Sequence, residues 1–512
     1  MACQTLAPLN WRITNNEFFG VKMLTANWHS IRKNGSGIAV LLLFIMAMAF
    51  VPGSKKATKN ATQRPNIIVI VIDDAGYADF GFMGSKDLQT PHIDALASTA
   101  IKFTDAHVTA SVCSPSRAGL LTGKYQQRFG YECNEGDGYT GIDTAQVLLP
   151  EHLTKLGYAT AAFGKWHLGF HPTQHPLQMG FQYYYGFLSG GRSYFYRPNI
   201  DDRKAAKTAL LENHEQVKFE GYLTDVLGDK AVQYIREKKQ EPFFMYWAPN
   251  AVHTPMEASK EDLDKFAHHP RQKLAAMTFA LDRAIGKIIQ ELKQQQLYDN
   301  TMIFFLSDNG GAHNNLSSNL PLKGFKGNKY EAGHRVPFLL SWPAKFKSGS
   351  EFSGLTSALD IYPTVLDAAG MSSDLSALHL DGVSVLPFLQ QDSKASPHDM
   401  LVWRKDAAAA IRFQQYKLIR VKGLGDRLYN LQHDPGETTD LSKQEAAMHQ
   451  LLAAKLDAWE QDKMAPKWTE GKMWDTITLM IHDDLMHNRN PTVRNPQELQ
   501  QYRAAHKVSV HQ

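Results

Sequence analysis

The chain has 512 residues, more than one average domain needs and enough to bury a large hydrophobic core. Hydrophobic residues make up 43% of it and charged residues 21%, the balance of a globular protein, and the formal net charge of +4 gives no support to nucleic-acid binding. Cysteine occurs only at positions 3, 113 and 133, which excludes a disulfide framework, although a Cys113–Cys133 bond could form.

The first feature along the chain is an uninterrupted apolar run at residues 38–51. This run is short for a membrane span, follows two basic residues, and contains the small-x-small pattern Ala-Met-Ala that ends at Ala49. We therefore expect a leader and signal peptide over residues 1–49, cleaved near Ala49, and a periplasmic or secreted protein. An uncleaved N-terminal membrane anchor is the alternative, and Met23 would be a more conventional start than Met1.

The next feature is a β-branched run from Asn66 to Ile72, which predicts a strand buried on both faces of a parallel sheet. This strand is followed directly by Asp73 and Asp74. Two adjacent carboxylates repel each other unless a cation lies between them, and open α/β sheets bind ligands at the carboxyl ends of their strands. A solvated turn is the alternative for this pair.

Residues 113–117 read Cys-Ser-Pro-Ser-Arg and are followed by Leu-Thr-Gly at 121–123. We expect a helix to start here, because Ser114 or Ser116 could cap it and proline suits a first helical turn. The free N–H groups of a helix start favour an anion, and Arg117 would add a permanent charge about one turn from Cys113. A buried, inert cysteine is the alternative.

Two further predicted strands end in basic side chains. Residues 158–163 are followed by Lys165 and His167, which strand alternation would place on the same side. Residues 241–247 form another apolar run, and His253 follows it. Histidines after a strand are also common as hydrogen-bonded structural residues, so these two elements are ambiguous by themselves.

Residues 301–306 predict one more buried strand, which ends in Asp308 and Asn309. Two strands that both end in oxygen ligands, here Asp73-Asp74 and Asp308-Asn309, could supply four side chains to one hard divalent cation. A set made of oxygen alone favours calcium or magnesium over zinc.

These motifs, in this order, resemble type I sulfatases of the alkaline phosphatase superfamily, over about residues 64–440. The Cys-x-Pro-Ser-Arg segment, Gly-Lys-Trp-His-x-Gly at 164–169, His-x-Pro from His253, and the Gly-x-Lys-Gly to Arg-Val-Pro segment at 324–337 match family motifs. Residues 125–130 are similar to bacterial polysaccharide sulfatases. The resemblance implies a mostly parallel α/β sheet sandwiched by helices, with a smaller C-terminal antiparallel sheet.

The resemblance also implies a reaction centre. Cys113 would be oxidised to formylglycine (3-oxoalanine) by a formylglycine-generating or radical maturation enzyme, and its hydrated aldehyde would be the nucleophile. One Ca²⁺ would be bound by Asp73, Asp74, Asp308, Asn309 and the modified Cys113. Arg117, Lys165 and Lys326 would hold the sulfate, while His167 and His253 would handle protons. Lys323 and Lys329 are weaker candidates for the sulfate contact, and Glu331 and Arg335 are predicted to form an internal ion pair.

The expected substrate is a sulfated polysaccharide or oligosaccharide, with a carrageenan-like galactan as the nearest guess. The aromatic and basic stretch from His171 to Arg197 suits sulfated sugar rings, although packing is the alternative for each of its tyrosines. Ser189, Arg192 and His313 are candidate substrate contacts, with Asn314 and Asn315 at the rim. A phosphate or phosphonate ester hydrolase, or a glycan-binding relative with unconverted Cys113, are the alternatives, and the sequence sets no oligomeric state.

We expect a catalytic domain at residues 64–394, a C-terminal subdomain at 395–464 and a tail at 465–512. The segment 357–370 predicts an amphipathic helix. Four short strand patterns between residues 400 and 431 predict the antiparallel sheet, and residues 444–459 predict a helix packed on it. Residues 465–512 are polar with few periodic apolar positions, so we expect an extended tail that wraps the body or contacts another subunit.

Overall fold

The protein is described here by a computed structural model that covers residues 64–506, apart from residues 137, 199–204, 347–348, 390–394 and 406. The predicted signal peptide, its cleavage near Ala49 and the alternative start at Met23 lie outside the described residues. Within the described ranges, no helix combines the length and the hydropathy needed to cross a membrane.

A ten-stranded, mostly parallel sheet forms the centre of the large domain, with the strand order β11-β2-β10-β9-β1-β8-β4-β5-β6-β7. The fold class expected from the sequence is confirmed. The strands of the large domain are β1 (Asn66–Ile72), β2 (Ile101–Phe103), β3 (Ala106–His107), β4 (Ala159–Lys165), β5 (Tyr183–Phe187), β6 (Leu211–Glu212), β7 (Glu215–Gln216), β8 (Phe243–Ala248), β9 (Thr301–Ser307), β10 (Phe338–Ser341), β11 (Glu351–Phe352) and β12 (Thr356–Ser357).

Strand β1 shows why the sheet is buried on both faces. All seven of its residues are buried, and successive side chains alternate between two hydrophobic cores, with Ile67, Val69 and Val71 in one and Ile68, Ile70 and Ile72 in the other. Helices cover both faces of the sheet. Their bounds, with those of the C-terminal part, are α1 (Pro91–Thr99), α2 (Cys113–Thr122), α3 (Leu149–Lys155), α4 (Ala205–Thr208), α5 (Leu223–Lys238), α6 (Lys260–Lys265), α7 (Gln272–Gln294), α8 (Glu331–His334), α9 (Ile361–Ala368), α10 (Leu386–Leu389), α11 (Ala446–Gln461), α12 (Lys472–Met486) and α13 (Pro496–His506).

The C-terminal part is built on a four-stranded antiparallel sheet, as expected. Its strands are β13 (Met400–Lys405), β14 (Ala408–Phe413), β15 (Tyr416–Val421) and β16 (Gly425–Asn430). One face of this sheet packs against α11 through Leu452 and Leu456. The other face packs against α12 and α13 through Ile477, Ile481 and Leu499.

The expectation of an extended tail over residues 465–512 is wrong for the part that the structure describes. Residues Lys472–Met486 and Pro496–His506 are helices, and their apolar side chains complete one of the two cores of the C-terminal sheet. The predicted helix at 357–370 is also shorter than expected, since a 3-10 turn over Ala358–Asp360 precedes the α-helix Ile361–Ala368.

Candidate active site

Four neighbouring parallel strands, β9, β1, β8 and β4, end at the same edge of the large sheet. The register pairs Ile72 with Ser307, so Asp73 and Asp308 leave the sheet side by side. The N–H group of Asp73 donates to the carbonyl of Ala251, in the loop after β8 that leads to His253. The fold therefore brings together the four strand ends that carry the predicted functional residues.

Asp74 and His167 both have the backbone conformation that L-residues rarely adopt, with φ of 64° and 59°. The carbonyl of Asp74 is held in place by hydrogen bonds from Asn315 Nδ2 (3.1 Å) and Ser317 Oγ (3.0 Å). Asn315 is fully buried, so its predicted place at the substrate rim is wrong, and it positions the loop of Asp74 instead.

Helix α2 begins at Cys113, with Val112 as its N-cap residue and no capping side chain. The prediction that Ser114 or Ser116 caps this helix is wrong. The Ser114 hydroxyl instead hydrogen-bonds with Tyr131 Oη and donates to the carbonyl of His167. This contact fixes the start of the helix, and with it Cys113, against the loop that carries His167.

Three cations lie around Cys113, of which Arg117 and Lys165 are buried and Lys326 is partly buried, and each has a carboxylate partner within 3 Å. Lys165 Nζ lies 2.8 Å from Asp73 Oδ2, and Arg117 Nη2 lies 2.8 Å from Asp308 Oδ2. Lys326 Nζ lies 2.7 Å from Asp74 Oδ1 and donates to Cys113 Sγ at 3.1 Å. A group on Cys113 therefore faces concentrated positive charge in a water-poor site, where such charges act strongly on an anion.

The oxygen groups of this centre fit a hard divalent cation. Buried Asp308 has a raised pKa, first because of its burial and then because of the neighbouring charge of Asp73. The side-chain amide of Asn309 donates to Asp74 Oδ1 at 2.8 Å, while its own buried Oδ1 has no hydrogen-bond partner among the described residues. Repelling carboxylates beside an unused amide oxygen are what calcium would satisfy.

Asp73, Asp74, Cys113 and His253 form a group of possible metal ligands, because their ligand atoms lie within 4.8 Å of one another. A second such group consists of His107, Glu331 and His334, and the ammonium group of Lys417 already contacts two of its members. Lys417 Nζ lies 3.0 Å from Glu331 Oε1 and 3.2 Å from His334 Nε2. The predicted ion pair of Glu331 with Arg335 is confirmed at 3.3 Å.

The thiol of Cys113 is a poor nucleophile as it stands. Burial raises the pKa of this thiol to about 12, although Lys165 and Lys326 oppose the shift, so the thiolate is scarce at neutral pH. Cys113 and Cys133 are both free, so the disulfide that the sequence allowed does not form. Cys113 thus remains available for modification.

The two histidines at this edge are held in defined states. Burial lowers the pKa of His167 well below its usual value, with Lys165 adding to the effect, so its ring is neutral at neutral pH. Burial also lowers the pKa of His253. Since the carbonyl of Thr254 can only accept, Nδ1 of His253 carries the hydrogen of their 2.6 Å contact, and Nε2 is directed to Asp74 Oδ2 at 3.6 Å.

A cavity of about 260 Å³ opens onto this centre. Asp74, His253 and Lys326 line it at the catalytic end. His313 lines a side of it, packs edge-on against Phe325 at 5.3 Å between ring centroids, and has a buried Nε2 with no hydrogen-bond partner in the described chain. A substrate held here would reach Cys113 past Lys326.

A family model described as Sulfatase matches residues 65–371, and one described as N-sulphoglucosamine sulphohydrolase, C-terminal, matches residues 325–462. The chain belongs to the sulfatase family. It is therefore a sulfuric ester hydrolase of the alkaline phosphatase-like superfamily. Members of the sulfatase family generally use formylglycine and calcium.

Relatives of this sulfatase include the human N-acetylgalactosamine-6-sulfatase, 34% identical over 379 residues that cover 70% of this chain and 72% of the relative. The uncharacterized sulfatase YdeN of Escherichia coli (strain K12) is 33% identical over 399 residues, covering 66% and 68%. Among solved structures, Ps i-CgsB in complex with k-i-k-neocarrahexaose has a TM-score of 0.76 at 38% identity and covers 83% of this chain and 98% of that one.

Ser189 and Arg192, predicted as substrate contacts, are not among the residues that line the cavity of this sulfatase. The Ser189 hydroxyl donates to the carbonyl of Gly191, and the Arg192 guanidinium donates to the carbonyls of Ser193 and Thr208. Between them, Gly190 packs so closely that a Cβ there would lie 2.6 Å from His167 Nε2. This loop thus packs directly against His167, and the substrate contacts predicted for Ser189 and Arg192 stay predictions.

The aromatic stretch from His171 to Arg197 is mostly packing. Tyr183–Phe187 is strand β5, in which Tyr184 and Tyr185 are buried. Tyr194 is fully buried and donates to the carbonyl of His253 at 2.8 Å, which supports the loop of that histidine. For these tyrosines the packing alternative is correct.

Sequence reasoning missed one side of the cavity. Glu470, Trp474, Ile477, Ile481 and Arg494, all from the segment expected to be an extended tail, line it opposite the strand ends. No motif marks these residues. The signal that could have found the helix is the spacing of Trp474, Ile477 and Ile481, which repeats every three to four residues.

Proposed function

We propose that this sulfatase removes sulfate from a sulfated glycan, using a formylglycine made from Cys113 and a bound calcium ion. One observation carries this proposal: Lys326 Nζ contacts both Cys113 Sγ, at 3.1 Å, and Asp74, at 2.7 Å. The modifiable side chain, a metal-ligand candidate and a sulfate-binding cation therefore meet at one point. The maturation enzyme would be a formylglycine-generating or a radical enzyme.

The proposed calcium ligands are Asp73, Asp74, Asp308, Asn309 and modified Cys113. When present, calcium would offset the charge of the sulfate oxygens, and the formylglycine hydrate would supply the attacking oxygen. Arg117, Lys165 and Lys326 would orient the sulfate, because their buried charges are already fixed by carboxylates and need no rearrangement.

Two histidines are proposed to move protons. Neutral His167 can accept a proton near Cys113, because burial and Lys165 disfavour its charged form. Lys326, or His253 once its Nε2 has taken up a proton, would donate a proton to the departing alcohol. Each of these proton carriers lies beside the carboxylates and cations that surround Cys113.

The substrate class is proposed from a structural relative. Ps i-CgsB, 38% identical, has been solved with k-i-k-neocarrahexaose, which supports a carrageenan-like galactan for this chain as well. His313 is proposed to contact the sugar from the side of the cavity, since its ring lines the cavity and its Nε2 is unpaired within the described residues. Export to the periplasm or beyond would bring the enzyme to such polymers.

The proposal is tested by producing the chain with and without a formylglycine-generating enzyme. Mass spectrometry of the peptide that contains Cys113 should show the thiol-to-aldehyde change only with the maturation enzyme. Sulfate release from a sulfated galactan oligosaccharide should follow the modified fraction. Cys113→Ala should abolish turnover, whereas Cys133→Ala, at the other buried cysteine, should keep it.

Turnover by chains whose Cys113 is entirely unmodified would contradict the proposed nucleophile. Faster release of phosphate than of sulfate from matched esters would favour the phosphate or phosphonate ester alternative. Binding of the oligosaccharide with no release of either ion, in a chain whose Cys113 is fully converted, would favour a glycan-binding role.

A further inference from the structure

We propose that residues 470–498 form a specificity wall of the substrate cavity, in which Trp474 stacks on a sugar ring and Arg494 binds a second anionic group of the glycan. This inference rests on the proposed function, and it adds that the preferred substrate carries at least two negative charges. The family models end at residues 371 and 462, so they assign nothing to this segment.

The specificity wall is an ordered surface, because its helix packs against the C-terminal sheet. Trp474, Ile477, Thr478 and Ile481 occupy positions i, i+3, i+4 and i+7 of helix α12, so one stripe of this helix lines the cavity. The helix is anchored because Ile477, Ile481 and Leu485 are buried against the C-terminal sheet. An aromatic ring is thus presented at a fixed position beside the reaction centre.

Trp474 is the one member of this stripe that suits a sugar. It is half-buried in the first turn of α12, where it packs at the edge of the C-terminal core and also lines the cavity. An indole face offers a large apolar area to the C–H groups of a pyranose at little conformational cost. The other cavity residues of the stripe, Ile477, Thr478 and Ile481, are smaller and more deeply buried.

Arg494 supplies the charge. Glu498 orients its guanidinium, with Nε at 3.2 Å from Oε2 and Nη2 at 2.9 Å from Oε1, and the side chain of Arg494 is 39% exposed. Nη1 donates to no described residue, and Arg494 is among the residues that line the cavity, so this nitrogen can still donate to a ligand. A planar guanidinium with a free arm suits a sulfate or carboxylate oxygen.

The cavity is lined by two cations that have different carboxylate partners. Lys326 belongs to the catalytic centre and pairs with Asp74, whereas Arg494 pairs with Glu498. Lys405 also lines the cavity, but its side chain is only 5% exposed and pairs with Glu470 at 2.9 Å, whereas the side chain of Arg494 is 39% exposed. Arg494 is therefore the group placed to read a second anion while the first is held at Lys326.

The test compares Arg494→Gln and Trp474→Ala with the wild type on two probes. One probe is 4-methylumbelliferyl sulfate, which has a single charge and no sugar, and the other is a galactan oligosaccharide with two sulfates per disaccharide. Arg489→Gln is the matched control, because Arg489 lies on the same segment, pairs with Asp483 and Asp484, and does not line the cavity. Melting temperatures verify that each variant is folded.

We expect Arg494→Gln to lower kcat/KM on the doubly sulfated oligosaccharide about 10- to 100-fold, mainly through KM. Activity on the aryl sulfate should stay within about twofold, since the cation cluster is untouched. Trp474→Ala should act in the same direction, with Trp474→Phe retaining part of the activity. Arg489→Gln should match the wild type on both probes.

Equal losses on both probes, or no loss on either, would overturn the specificity wall while leaving the sulfatase mechanism intact. Wild-type enzyme that prefers a singly sulfated oligosaccharide would overturn the requirement for a second anion. By contrast, a fully modified wild type that releases sulfate from neither probe nor any other sulfated glycan would contradict the proposed function itself.

Discussion

The catalytic edge and the specificity wall meet in one cavity but are built in opposite ways. At the edge, the charged groups follow directly from buried strands and a buried helix, and each cation has a carboxylate partner within 3 Å. At the wall, the indole of Trp474 stands on helix α12, which covers a different sheet, and the partly exposed guanidinium of Arg494 lies in the loop between α12 and α13.

This difference separates two tasks. Groups that stabilise a transition state must be fixed before substrate arrives, and interlocked buried ion pairs achieve this. Groups that determine which glycan binds need only lie at the correct distance from the reaction centre. Segments at the protein surface can provide this placement. Changes at the edge should therefore alter every substrate alike, whereas changes at the wall should alter substrates selectively.

The largest expected effect comes from removing calcium. Long dialysis against EGTA should lower activity about a thousandfold on both the aryl sulfate and the oligosaccharide, because the charge that would offset the sulfate oxygens in the transition state is lost. The melting temperature should fall as well, since an ion that binds only the folded state stabilises it. Added Ca²⁺ should restore both quantities.

The same dialysis sharpens the comparison when it is applied to Arg494→Gln. This variant should lose activity by the same factor as the wild type, because its change lies outside the ion site. Full activity after exhaustive dialysis, with no calcium detected by elemental analysis, would remove the metal from the proposed mechanism.

A smaller but still uniform loss is expected for Lys326→Met. Removing the cation that contacts both Cys113 and Asp74 should lower kcat about 100-fold on both probes, as for the loss of one preorganised donor to a transition state. Lys323→Met is the control, since Lys323 Nζ instead contacts the carbonyl of Glu437 and Asn488 and should leave activity near that of the wild type. A loss confined to the oligosaccharide would move Lys326 from the catalytic edge to substrate selection.

The smallest effect concerns stability alone. Although burial opposes it, Asp360 at 2.7 Å raises the pKa of His398 above its ordinary 6.5. The charged pair thus stabilises the fold below about pH 6.5, and this contribution is lost as pH rises through the raised pKa. Urea unfolding from about pH 6 to about pH 9 should show the free energy of unfolding of the wild type falling toward that of His398→Gln. His398→Gln should leave the ratio of aryl-sulfate activity to oligosaccharide activity at its wild-type value. A changed ratio would link the His398–Asp360 pair to the substrate cavity.

The catalytic edge could be predicted because its chemistry follows strand ends. A continuous β-branched run such as Asn66–Ile72 identifies a buried strand, and polar residues directly after it must lie at the sheet edge. Alternation was a weaker guide. Strand β4 ends at Lys165, and His167 reaches the same region through its left-handed backbone and not by facing the same way along a strand.

The role of the specificity wall was harder to predict than its helix. Helix α12 is partly polar and carries no motif, and its stability comes from packing against a sheet formed by an earlier segment of the chain. The error at Ser114 has a similar origin, since the hydroxyl that could cap α2 is instead used by His167 and Tyr131. Side-chain type alone also gave no sign that Gly190, between Ser189 and Arg192, packs closely against His167.

The position of the specificity wall along the chain has an evolutionary and practical consequence. Residues 470–498 are contiguous and follow every residue of the catalytic edge, so a single recombination joint before β13 could exchange the whole wall together with the sheet that supports it. Enzymes of this design could acquire new glycan preferences as cassettes, without any change to the inherited catalytic body. Chimeric sulfatases designed to test new glycan preferences should be joined at this same point.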